Sequence, residues 1–445
     1  MNTKQYLLAC LAALILSCSH ALALTAAAAP DIAIASVSSV ETIATGQTFT
    51  VGYVVKNVSN TEVNDFMVTF IVDGEEHTKK VTCTSALTYG KTRTCKLGEY
   101  SFDTPGSHTF QITVHDPNGE VDEHMSDNTV EFVVNAYDES ATYERTVLLE
   151  NFTTMECPNC PSAHDKIDAA LNAIPGARDR VVWVCHHAGY GSDKFTTAED
   201  NAYLFFYGSG GTYAPALMFD RTYMEDRSNG SSISYVPVHF NGTQEGYIRD
   251  IEERMAAPAY MDVHIAGEYD ATQQKLSLCV YGNSAFETFT AAPRLNVWVM
   301  EDGLVATQKP NGSAPYTHNA VMRSSLTGTW GEPLEIADGK FSRTLEYYMP
   351  LRIQNPANTW VVAFVANYDS SNPNNCEVYN AAQARTTALD PIPEGIQATS
   401  IEGQREVMQT IWSADGRRQG NLQPGLNIVR TTYADGSVKA EKVLK

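Results

Sequence analysis

The chain has 445 residues, 43% hydrophobic and 19% charged, with a formal net charge of -21. That length exceeds what one hydrophobic core serves, so roughly two to four domains are expected. The acidic balance excludes a protein that grips phosphate backbones, which gathers Lys and Arg on one face, so nucleic acid is not expected as a partner.

Residues 1–23 read as an export signal. Lys4 gives the positive start, Leu7 to Leu16 a short apolar core, and Ala21-Leu22-Ala23 a small-residue cleavage site. Cys18 keeps a second route open, cleavage before it followed by lipidation. No later stretch approaches the roughly 20 apolar residues that span a bilayer, so no transmembrane span is expected. Export also changes how the cysteines are read, because an oxidising compartment lets structural disulfides persist. Cys83 and Cys95 flank a turn-like Tyr89-Gly90-Lys91 and form one candidate pair, Cys279 and Cys376 a second, and Cys157 and Cys160 a third. Cys185 is then left over.

Residues 31–136 alternate apolar and polar positions, as in Phe66, Val68, Phe70 and Val72 before the turn Asp73-Gly74. Short strands with regular turn signals indicate an immunoglobulin-like β-sandwich, resembling the adhesion-type modules of bacterial surface proteins. The acidic loop with Asp116, Asp122, Glu123 and Asp127 is read either as a calcium site or as a solvated loop; it lacks the spacing of a dedicated calcium loop. A polar linker follows at Tyr137 to Tyr143.

Residues 143–258 carry the most informative motif. A buried strand, Val147 to Phe152, precedes Cys157-Pro158-Asn159-Cys160-Pro161, and a helical pattern begins near Ala163. Strand, Cys-x-x-Cys and helix in that order point to a thioredoxin-like redox domain. A strand at Val181 to Cys185, a helix from about Thr197 to Tyr207, a break at Gly208 to Gly211 and a strand at Tyr213 to Phe219 follow. Pro215 falls near the start of that last strand, where proline is tolerated, and is a candidate for a cis bond. Residues 260–388 turn β-rich, with Leu276 to Tyr281, Leu295 to Val299 and Trp360 to Val365 as clear strands, and read as a second β-sandwich. Residues 395–445 hold hairpin signals at Asp415-Gly416 and Asp435-Gly436 and form a small terminal β-module. The expected fold is therefore multidomain, α/β plus all-β, with the thioredoxin-like domain flanked by two sandwiches.

A thiol acts only when ionised, and a helix amino end favours the thiolate. Cys157 is placed there as nucleophile, Cys160 one turn in as resolving thiol, and Pro158 and Pro161 suit a first turn. Cis-Pro215 would present its backbone beside the sulfurs to dock an extended substrate. The competing reading is a permanent staple at a helix end. A zinc site would need further ligands, for which Cys185-His186-His187 is the available run, although adjacent strand residues face opposite ways. His164 either tunes the thiols or sits on a surface helix. No cofactor is implied.

Two runs, Val147 to Thr153 and Cys157-Pro158-Asn159-Cys160-Pro161-Ser162-Ala163-His164, resemble the Omp28-related outer membrane proteins of Bacteroidetes, a thioredoxin-like family. Tyr316-Thr317-His318-Asn319-Ala320-Val321-Met322-Arg323 and Trp330-Gly331-Glu332 are similar to that family's carboxy-terminal sandwich. The resemblance implies an outer-membrane, cell-surface or secreted protein and no settled reaction. The end of the chain, Gly425 to Arg430 with Lys442 to Lys445, resembles sorting segments read by the type nine secretion system, which implies outer-membrane secretion machinery as a partner. Against the wider thioredoxin pattern, Glu156 replaces an aromatic residue before the first cysteine, and its charge opposes thiolate formation. Asn151 occupies the place of a buried carboxylate, with Glu150 adjacent, and Ala214 precedes the candidate cis proline. Two functions stay open: thiol-disulfide exchange with protein thiols or disulfides, or non-enzymatic binding of other surface proteins with a structural Cys157–Cys160 bond.

Overall fold

Alternating burial builds the first of two units, Met1–Ala136 and Tyr137–Lys445, into which the computed structural model divides. The structure describes residues 29–207, 214–222, 224, 242–312, 314–394, 396, 400–402, 406–433 and 437–444. The export signal, the Gly208 to Gly211 break and the Asp435-Gly436 turn lie outside these residues.

The first unit contains β1 (Ile32–Ser38), β2 (Thr42–Ala44), β3 (Phe49–Asn57), β4 (Val63–Val72), β5 (Glu75–Leu87), β6 (Thr92–Tyr100), β7 (Gly106–His115) and β8 (Thr129–Tyr137). One sheet runs β1-β3-β6 and the other β2-β8-β7-β4-β5. Val51, Tyr53 and Val55 from the first meet Phe66, Val68, Phe110, Ile112 and Val114 from the second, the two-layer core of the expected sandwich. Asp73 and Gly74, at φ 49 and 85, make the two-residue turn between β4 and β5 that alternation and the Asp-Gly pair announce. The expected Cys83–Cys95 bond is not formed, and both thiols are free. Their strands are in opposite sheets, and both side chains border the core between those sheets without being bonded.

The second unit begins with β9 (Val147–Thr153), α1 (Cys160–Ala173), α2 (Ala177–Arg180), β10 (Val181–His187), α3 (Ala198–Tyr207), β11 (Ala216–Phe219) and α4 (Gln244–Ala256). It continues through β12 (His264–Asp270), β13 (Lys275–Asn283), β14 (Arg294–Glu301), β15 (Leu304–Thr307), β16 (Pro315–His318), β17 (Val321–Ser325), β18 (Glu332–Pro333), β19 (Lys340–Tyr348), β20 (Thr359–Ala366), β21 (Val378–Arg385) and β22 (Ser400–Glu402). The terminal strands are β23 (Glu406–Ser413), β24 (Arg418–Gln419), β25 (Leu426–Tyr433) and β26 (Val438–Leu444), which form one sheet of their own.

The central 8-stranded sheet runs β11-β9-β10-β17-β14-β20-β21, with β18 beside β14. It therefore crosses the boundary that the sequence suggests near residue 259. Strands of the expected second sandwich extend the sheet begun by β9, with β10 parallel to both β9 and β17. Period-two burial explains the layering. Val147, Leu149, Leu217 and Phe219 face Ile167 and Leu171 of α1 and Tyr247 and Ile251 of α4. Further along the same sheet, Leu295, Val297, Val361, Ala363 and Val365 face Leu276, Leu278, Phe341 and Leu345 of a second sheet, β12-β13-β19-β22. The opposite face of the central sheet, with Leu148, Val182, Val184, Trp298, Met300, Val362 and Phe364, packs on Tyr203, Leu204 and Tyr207 of α3.

The expected Cys279–Cys376 bond is also absent, and both thiols are free. Cys376 belongs to the core under α3, whereas Cys279 lies on β13 in the second sheet, beyond the other face of the central one. Alternation along β13 turns Leu278 and Val280 into the shared core and Cys279 away from it.

Candidate functional site

The carboxyl ends of β9 and β10 carry the cysteine motif and the loops around it, the usual place for a site in an open α/β sheet. Cys157 and Cys160 are joined by a disulfide with Cα atoms 5.5 Å apart. Helix α1 starts at Cys160, with Pro161 in its first turn and Pro158 ahead of it, so one proline rather than two serves the helix start. The Cys160 N–H donates to Cys157 Sγ at 3.1 Å, and the Cys157 N–H to the Thr154 carbonyl at 3.0 Å. Both half-cystines are 0% exposed.

Two segments enclose them. The first follows β10, where His187 Nδ1 lies 2.7 Å from Asp193 Oδ2, and that same oxygen accepts the Met155 N–H at 2.8 Å. Gly191 in this segment has φ 77, and a Cβ there would run into the Glu156 side chain. The second is the turn after β15. Gln308 donates from Nε2 to the carbonyls of Cys157 at 2.7 Å and Thr154 at 3.1 Å. The Lys309 N–H donates to the Met155 carbonyl at 2.9 Å, and Lys309 Nζ pairs with Glu156 Oε2 at 2.7 Å.

The Ala214-Pro215 bond is cis, and Pro215 is buried ahead of β11, which runs antiparallel to β9. A Cβ on Gly189 would stand 3.5 Å from both Ala214 Cβ and Thr154 Cγ2, so the cis proline segment and the motif approach the same loop. His164 is turned toward Tyr316, with Nδ1 3.4 Å from the hydroxyl, and its ring meets Trp183 edge on. Burial, then His187 and His318, bring its pKa down to about 3. It is a neutral inward-facing ring at neutral pH and supplies no positive charge to a thiolate.

The zinc reading of Cys185-His186-His187 fails on the strand geometry it depends on. His186 turns under α3, between Glu150 Oε1 at 3.1 Å and Asp200 Oδ1 at 2.9 Å, while His187 joins Asp193 on the other side. Cys185 is a free, buried thiol 3.9 Å from Asn151 Oδ1, and burial pushes its pKa up. Glu150 does not stand in for a carboxylate beside the cysteines, since Arg221 holds it through Nε at 2.8 Å and Nη2 at 2.9 Å. In the first unit, ligand atoms of Asp31, Asp122 and His124 lie within 4.8 Å of one another. The Asp122 carboxylate is already engaged by the N–H groups of Ile32 and His124 and by Asn128 Nδ2, which accounts for its burial without calcium.

Residues 238–387 match the family model described as outer membrane protein Omp28, and residues 29–132 match the CARDB model. Among solved structures, HBP35 of Porphyromonas gingivalis is similar at 22% identity, over 68% of this chain and 99% of that one, with a TM-score of 0.46. The CARDB domain of PF1109 from Pyrococcus furiosus, solved in complex with di-metal ions, matches at 17% identity over 25% of this chain and 96% of that one, with a TM-score of 0.22. No curated protein matches. The chain is an exported protein of the outer membrane or cell surface with an immunoglobulin-like CARDB module. More particularly, it is Omp28-like over residues 238–387. Among the described residues, no helix is long and apolar enough to cross a membrane.

Gln308 and Lys309 escape a reading of the sequence as site residues because no motif surrounds them. Their one signal is their place shortly before the Tyr316 to Arg323 run.

Proposed function

We propose that the protein is a non-enzymatic surface-binding protein in which a thioredoxin-like scaffold is stapled by Cys157–Cys160. One observation carries this reading: both half-cystines are fully buried. A working thiol needs access and a nearby positive charge. Here the neighbouring Glu156 carboxylate engages the Lys309 ammonium instead. The order β9, α1, β10, α3, cis proline and antiparallel β11 supports the thioredoxin-like part. In this reading the immunoglobulin-like CARDB module of the first unit carries the binding surface. The terminal sheet β23 to β26 fits a sorting segment read by type nine secretion machinery.

The test is a Cys160→Ser variant of the full chain, which frees the Cys157 thiol. Its reaction with a small aromatic disulfide is expected to be limited by opening of the protein. Reaction at the rate of an exposed, ionised thiol overturns the structural reading.

A second reading, thiol-disulfide exchange, is favoured by the Cys160 N–H aimed at Cys157 Sγ, a donor placed to hold a thiolate. In that reaction a thiol donor first reduces Cys157–Cys160, taking the bond as its own disulfide, and the freed Cys157 thiolate attacks a partner disulfide and expels one sulfur as thiolate. Cys160 then resolves the mixed disulfide, so the partner gains two electrons and the pair loses two. Pro215 would position the substrate backbone.

A further inference from the structure

The loop that leads into α1 leaves the carbonyls of Met155 and Cys157 without helical partners, and buried carbonyls must find donors. Both find them in one short segment of the same chain, which also reaches the Thr154 carbonyl beside the Cys157 N–H that it already accepts. The Gln308 carboxamide, 1% exposed, serves Thr154 and Cys157, and the Lys309 N–H serves Met155. The Lys309 ammonium then meets Glu156. Upstream, Leu304 packs with Phe195, Val321 and Met155, and Lys194 Nζ donates to the Val305 carbonyl at 3.2 Å.

On the other strand of the hairpin, His318 is buried edge on against His187 and Phe195. Strands β15 and β16 form a 2-stranded sheet that pairs only with itself among the described residues. An isolated hairpin is marginally stable in water, so its position depends on what it touches.

We propose that Thr154 to Cys157, with Glu156, form a recognition groove for an extended polypeptide, occupied in this structure by the chain's own Gln308-Lys309 segment. The partner chemistry follows from the occupant: a carboxamide side chain, then a backbone N–H and a cation one residue on. The inference draws on the exchange reading only for what a partner would gain there, since an opened groove uncovers the disulfide.

The test measures the rate at which dithiothreitol reduces Cys157–Cys160 in the folded full chain, read by alkylation and mass. The reductant's thiolate attacks one sulfur and expels the other, and its second thiol closes a cyclic disulfide, so two electrons pass. Gln308→Ala is expected to raise the rate about tenfold, the scale of losing a buried hydrogen-bonding group. Lys309→Glu, which changes only an exposed side chain, is expected to raise it less. A synthetic peptide of residues 304–311, added to Gln308→Ala, should slow reduction again, and the same peptide with Gln replaced by Ala should not. Unchanged rates in both variants, or no slowing by the peptide, overturn the groove. Faster rates and peptide protection with no mixed disulfide in Cys160→Ser would leave the groove standing and remove the exchange reading.

Discussion

At the scale of single residues, the strongest constraint is the buried ion pair of Glu150 and Arg221. Burial pushes the Glu150 carboxyl up, but the Arg221 guanidinium and hydrogen bonds from Arg221 and His186 outweigh it and bring it to about 2. The guanidinium also lies against the rings of Tyr203, Tyr207, Trp298 and Phe364, at 4.9 to 5.6 Å. Arg221→Met should therefore cost about 3–5 kcal/mol, because it strands a buried carboxylate, and urea unfolding measures it. The pH dependence follows from the same groups. A carboxyl lowered on folding stabilises above its unfolded value of 4.5, and that stability is lost as pH falls toward about 2. His318, lowered to about 4 first by burial and then by His187, stays neutral in the fold while the unfolded ring protonates near 6.5. Stability should thus fall from pH 6.5 toward 4, and His318→Gln should reduce that slope, leaving the share of His164, which is lowered to about 3. The Cys-x-x-Cys pair was legible because its spacing and helix context are local. The partners of Gln308, Asp193 and Arg221 were not, since each reaches across the fold to a backbone or charge far away in sequence.

At the scale of elements, Arg145 ties the start of β9 to the rest of the central sheet. Nη1 donates to Asp220 Oδ2 at 3.0 Å and to the Val378 carbonyl at 3.2 Å, and Nη2 to the Pro258 carbonyl at 2.6 Å. Asp220 in turn accepts the Leu148 N–H at 2.8 Å and meets Arg254 at 3.0 Å. Arg145→Ala should cost about 3 kcal/mol and be strongly non-additive with Arg254→Ala, a cycle that thermal unfolding resolves. Strands β9, β10 and β11 could be read from apolar runs, and α1 and α3 from their periodicity. Which strands pair could not: Val321 to Ser325 is a short, half-polar run, and only its register with Cys185 makes it part of the same sheet as β9. The disulfide expectation for Cys279 with Cys376 failed for this reason, since sheet arrangement is a long-range fact and it places the two thiols in different layers.

At the scale of the molecule, the first unit draws its core from its own residues, Ile32 to Val134. Residues 29–136 produced alone should unfold cooperatively, as circular dichroism against urea would show. A fragment ending at residue 259 should not, because β10 would lose β17 and expose an unpaired edge. Independent folding of that fragment would mean that the strands beyond it add nothing essential to the sheet.

The central claim, a disulfide sealed as a staple, is tested most directly by the reduction potential of Cys157–Cys160 in the full chain. A value below about -300 mV, as for structural disulfides of exported proteins, is the predicted result. A value near those of the exchange catalysts, about -120 to -270 mV, would contradict it.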